Sequence, residues 1–167
     1  MMTKLYHYAP QDNTIMKDGI LSVSHVSREL SHYAYRAKSD DKNAILQWLD
    51  ACFSGRSRSV SCLTEPIRWQ GNDPMLKDFV DNKALFSFDI IQLVQDGIVE
   101  AIWCKDGSET GGINEKFYQV SAEEIDFSPL QWEKCDKSKG LFFAVIRHYL
   151  IVLKDGIIPP HYLTWEK

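Results

Sequence analysis

The most apolar stretch of the chain, Leu141 to Leu153, sets the first limit on what it can fold into. Arg147 and His148 interrupt the run. It is also short of the roughly 20 residues a helix needs to cross a bilayer, so it belongs inside a folded core. Leu141, Phe142, Val145, Ile146, Tyr149, Leu150 and Leu153 recur at helical spacing, and Gly156 follows as a stop. This spacing predicts a helix near the C-terminus. A pair of buried strands is the competing reading, because the run is rich in β-forming residues.

The other segments supply a mixture of helices and strands to pack around it. Leu5 to Leu21 reads as a strand (Leu5–Tyr8), a turn at Pro10, and a short helix capped by Asp12 or Asn13 and stopped at Gly19. Ser27 with Glu29 and Leu30 can start a further helix. Asp41 to Phe53 is the plainest helix of the chain. It opens on acidic residues at the positive end of its dipole and carries Ile45, Leu46, Trp48, Leu49 and Cys52 at helical spacing. Strands are expected over Ser59–Thr64, Ala84–Ile90, Ile98–Cys104 and Glu115–Val120, and a short helix over Pro74–Asn82. The Gly-rich stretch 105–112 reads as a loop, and Tyr162–Trp165 as a short strand or extended tail. The fold class is therefore α+β, with helices in the N-terminal half and one near the C-terminus.

At 167 residues, with 44% hydrophobic and 25% charged, the chain is expected to form one domain over 1–167 with an ordinary core. The net charge of −4 argues against a dominant nucleic-acid or anionic-membrane surface. Cys52, Cys62, Cys104 and Cys135 form no CxxC pair, which speaks against a zinc knuckle; they read as reduced, mostly buried thiols of a cytoplasmic-type protein. No signal-peptide pattern opens the chain, and His7, His25, His32, His148 and His161 show no metal-ligand spacing. A Cys–His hydrolase would need Cys52 or Cys62 beside His148 or His161, and no flanking motif supports one.

Leu5-Tyr6-His7, Ile15 and Lys17-Asp18-Gly19-Ile20 together resemble the opening of ADP-ribosyltransferase-like domains, the group that includes NAD-dependent ADP-ribosyltransferases and RNA 2′-phosphotransferases. Two later stretches extend the resemblance. Ser59-Val60-Ser61-Cys62-Leu63-Thr64 is similar to the serine-bearing strand of that family, and Glu115 follows a Gly-rich loop at the start of a late strand, where the family carries its catalytic glutamate. The resemblance implies small split antiparallel sheets around a cleft that takes NAD. It implies that His7 orients the adenosine side, that Tyr8 and Tyr35 form aromatic walls, and that Ser61 and Thr64 line the floor. Arg36, beside Tyr33 and Tyr35, would meet the pyrophosphate, since a guanidinium fork matches phosphate oxygens. Glu115 would face the ribose, where loss of nicotinamide develops positive charge that a carboxylate stabilises. The outcome would be ADP-ribose transfer to a protein or nucleic-acid acceptor, or NAD hydrolysis, with no metal and no membrane partner. Ile113 stands where arginine-directed enzymes of the family carry a further glutamate, which argues against arginine as acceptor. A non-catalytic interaction or regulatory domain on the same or an unrelated α+β scaffold is the alternative.

Overall fold

A computed structural model describes residues 3–11, 14–68, 73–105, 116–136 and 145–167. The chain is α+β, with one seven-stranded antiparallel sheet and one two-stranded sheet. It begins with β1 (Lys4–Ala9), α1 (Ile15–Asp18) and β2 (Ile20–Leu21), then α2 (Ser27–Ala37), α3 (Lys42–Cys52) and β3 (Ser59–Leu63). There follow α4 (Pro74–Asn82), β4 (Ala84–Asp89), α5 (Ile90–Gln95), β5 (Val99–Lys105) and β6 (Phe117–Val120). The last strands are β7 (His148–Leu153), β8 (Ile157–Ile158) and β9 (Thr164–Trp165). The large sheet runs β6-β5-β7-β3-β1-β4-β9, and β2 pairs with β8 in the small one.

Local chemistry explains several of these elements directly. Asp41 caps α3 by accepting the Ala44 backbone N–H at 3.0 Å. Asp89 does the same for α5 through the N–H of Ile91, also at 3.0 Å. Gly19 has φ +86, and a side chain there would run into the Ile158 carbonyl. The glycine thus lets α1 turn at once into β2 and pair with β8. Asp12 and Asn13, expected as the cap of α1, lie outside the described residues, and Thr14 takes the N-cap position without a side-chain bond.

The helix expected near the C-terminus is overturned over residues 148–153, where the competing reading of a buried strand holds. Residues 148–153 form strand β7, which lies between β5 and β3 and is buried along all but its first residue. A strand covered on both faces reads as an unbroken apolar run, so its period of two is hidden. Residues 141–144 lie outside the described part.

Strand alternation divides the large sheet into two sides. On one side Leu5, Val60, Cys62, Phe86, Phe88, Tyr149, Ile151 and Leu153 form a continuous core with Leu93 of α5, Ile125, and Ile20 and Ile158 of the small sheet. The other side is covered in separate patches. Leu63 packs with Leu76 of α4, Leu130, Trp132 and Ile146, whereas Leu150 and Val152 pack under Phe53, with Trp103 and Phe117 beside them. Helices α2 and α3 pack on each other through Leu30, Ile45 and Leu49. Among the described residues no helix is long and apolar enough to cross a membrane.

Candidate functional site

Between the two patches of the divided side, β3 leaves one side chain uncovered. Ser61 is exposed, although its cross-strand partner Leu150 and its same-side neighbours Ser59 and Leu63 are buried. Ser59 turns inward and donates its hydroxyl to the Arg56 carbonyl at 2.7 Å. Ser61 instead hydrogen-bonds through Oγ to Nε2 of His148, the first residue of β7 and the cross-strand partner of Leu63.

The backbone of the same serine receives a second histidine. His7 Nδ1 lies 2.8 Å from the Ser61 carbonyl oxygen. A carbonyl only accepts, so this contact places the His7 proton on Nδ1. Strands β1 and β3 are in register at Tyr6 and Leu63, and the His7 ring reaches β3 just beyond that pair. Alternation sends the His7 side chain toward the side of Leu5 and Ala9, and the Ser61 hydroxyl toward the opposite side. The two therefore meet through the plane of the sheet, not across a shared hollow.

The remaining residues suggested by sequence are placed as follows. Tyr8 lies on the Ser61 side of β1, where its hydroxyl accepts the Ile67 N–H at 2.8 Å and its ring meets Phe79 edge-on at 5.7 Å. Burial raises its pKa, and the bond from Ile67 offsets part of that rise. Thr64 is buried just past the end of β3, and its hydroxyl has no partner among the described residues. Tyr35 is 92% exposed on α2. Arg36 places its guanidinium 4.9 Å from the Trp48 ring centre, so it belongs to the α2–α3 layer. Glu115 lies outside the described residues. The structure thus gathers His7, Tyr8 and Ser61 onto two adjacent strands, with Thr64 buried just past the end of one of them, while Tyr35 and Arg36 sit on a helix.

Two other arginines have structural positions. Arg56 is buried, 4% exposed, with its guanidinium near the rings of Tyr33, Trp48, Phe53 and Phe117, each within 5.8 Å. Arg58 pairs with Glu100 at 2.7 Å and donates to the Leu153 carbonyl at 3.0 Å, tying β3 to the end of β7. The four cysteines are free, and only Cys62 is buried, so the expectation of mostly buried thiols is corrected. Burial pushes the Cys62 thiol far up, and alternation turns it away from His148. Among the described residues no group of three or more His, Cys, Asp or Glu is placed to hold a metal ion.

His148 reads from sequence only as a break in the apolar run and a candidate partner of Cys52 or Cys62, not as the partner of Ser61. It is 87 positions from Ser61, and only the pairing of β7 with β3 joins them. The competing strand reading of this run was the signal that led toward it, but it did not extend to the pairing with β3. Comparison of this chain with protein-family models, with curated proteins and with solved structures returns no match.

Proposed function

We propose that this protein is an ADP-ribosyltransferase-like NAD-binding protein that transfers ADP-ribose to a protein or nucleic-acid acceptor, or hydrolyses NAD. What supports the reading is the contact of His7 Nδ1 with the Ser61 carbonyl at 2.8 Å, which joins the histidine of the opening motif to the serine strand. Those two stretches are 54 positions apart and carry the resemblance. In this reading Ser61 offers its hydroxyl to the ribose, Tyr8 gives an aromatic wall, and Glu115 stabilises the charge that develops as nicotinamide leaves, whereas Thr64, expected beside Ser61 on the floor, is buried.

The test is direct. NAD at millimolar concentration raises the melting temperature by mass action on the folded state, and nicotinamide is released on incubation. Glu115→Gln abolishes release while NAD still protects against melting. Normal turnover in that variant removes Glu115 from its role, and absence of both protection and release removes the reading.

The exposure of Tyr35 and the seat of Arg36 over Trp48 favour a second reading, an interaction or regulatory domain without turnover. It predicts protection by NAD without nicotinamide release, or no response to NAD at all.

A further inference from the structure

A serine hydroxyl has one hydrogen to give and two lone pairs to receive. At Ser61 one of these capacities is committed to His148 Nε2. Which one depends on the proton of the imidazole. When Nε2 is bare, it takes the Ser61 hydrogen, and the oxygen faces outward as an acceptor only. When Nε2 carries a proton, it donates to Ser61, and the serine hydrogen is released to point at a ligand. Ser61 is exposed, so either arrangement is presented to whatever approaches the strip between the two apolar patches.

We propose that His148 is a positioning residue of this site, setting whether Ser61 meets a bound molecule as hydrogen-bond acceptor or donor. The proposal rests on the reading of Ser61 as part of an NAD floor. It adds that a ribose hydroxyl acting as donor is matched by neutral His148 with its proton on Nδ1. A phosphate oxygen, which accepts, is matched by the Nε2-protonated ring. Among the described residues, groups that bear on His148 come from three strands. Lys105 of β5 is its cross-strand neighbour, and Ser61 and Leu63 face it from β3. Tyr6, the partner of Leu63, lies one strand further on β1. Arg147, next in the chain, is engaged by Asp126 at 3.0 Å.

The experiment compares wild type with Ser61→Ala, His148→Gln and the double variant. Ser61 is exposed, so its alanine variant tests the hydroxyl without disturbing the core. NAD binding is measured by calorimetry on both sides of the imidazole titration. With His148 neutral, each single change weakens binding by about tenfold, the size expected for one good hydrogen bond. The double variant is no weaker than either single one, because the two residues act as a unit. Glutamine abolishes the pH dependence, since an amide does not titrate. Losses that multiply in the double variant, or a pH profile unchanged by His148→Gln, overturn the proposal. A wild type that ignores NAD removes the functional reading instead. The pair is then decided without ligand, by imidazole NMR. A His148 titration that shifts in Ser61→Ala upholds the coupling, and one that does not shift overturns it.

Discussion

The two sides of the seven-stranded sheet use the same strands to different ends. One is sealed by a single apolar cluster that takes in β1, β3, β4, β5 and β7 together with the small sheet. The other is closed in patches, by Phe53 over Leu150 and Val152 and by α4 with the 130–135 segment over Leu63. Ser61, between them, stays exposed and carries a histidine on its hydroxyl. Binding sites are concave places where a few polar groups interrupt apolar cover. On the divided side Ser61 is such a polar interruption, and the continuous side holds the strands that position it.

The largest effect expected from this contrast is at Phe86. It is fully buried in the continuous core and stacks with Trp165 at 6.1 Å between ring centres. Phe86→Ala should cost about 3–5 kcal/mol in denaturant unfolding, the range for emptying a large core site. A loss below about 1 kcal/mol, the level of an ordinary point change, would show that this side is not the principal core.

A smaller effect is expected where the divided side is held by polar ties. Glu65 accepts the Leu130 N–H on one carboxylate oxygen and the Trp132 indole N–H, at 3.1 Å, on the other. Glu65→Gln keeps the shape but offers one accepting oxygen where there were two. One buried donor then loses its partner, at about 1–3 kcal/mol. Unfolding should follow this loss, and Trp132 fluorescence should report loosening of that patch before global unfolding. An unchanged midpoint would remove Glu65 as the tie and leave packing of Leu130 and Trp132 as the whole of the contact.

The same division explains what could be read from the sequence. Helix α3 was legible because its causes are local: Asp41 as cap and Ile45 and Leu49 one turn apart. Strands β3, β4 and β5 announced themselves within a residue or two, each between turn residues. β7 was legible only as the competing reading of its run, because burial on both faces leaves no visible alternation. Helix α2 was legible at its start, Ser27, but not in its length, and its course to Ala37 places Tyr35 outward and Arg36 over Trp48. In the candidate site, His7 and Ser61 were legible as types but not as partners. Their contact, like that of Ser61 with His148, depends on strand order, which pairs segments far apart in the chain.

The smallest effect probes the segment that passes between the two sides. Ile125 packs in the continuous core and Leu130 in the Leu63 patch, with the turn Asp126–Ser128 between them. There Asp126 accepts the Ser128 hydroxyl at 2.6 Å and its backbone N–H at 2.9 Å, while Arg147 donates to the carbonyls of Asp126 and Ser128. The bonds from Ser128, more than the nearby Arg147 charge, hold the Asp126 carboxyl below its ordinary value of 3.8. A carboxyl lowered by folding adds stability that is complete above its unfolded value and fades as pH falls through its folded one. The Asp126 side chain is 57% exposed, so screening keeps this contribution small. Ser128→Ala should therefore melt slightly below wild type at neutral pH, and the gap should close in acid, where Asp126 is protonated in both proteins. A gap that stays constant across the titration would mean that the hydroxyl acts through the turn backbone. The passage from one side of the sheet to the other would then be fixed by Arg147 and the carbonyls alone.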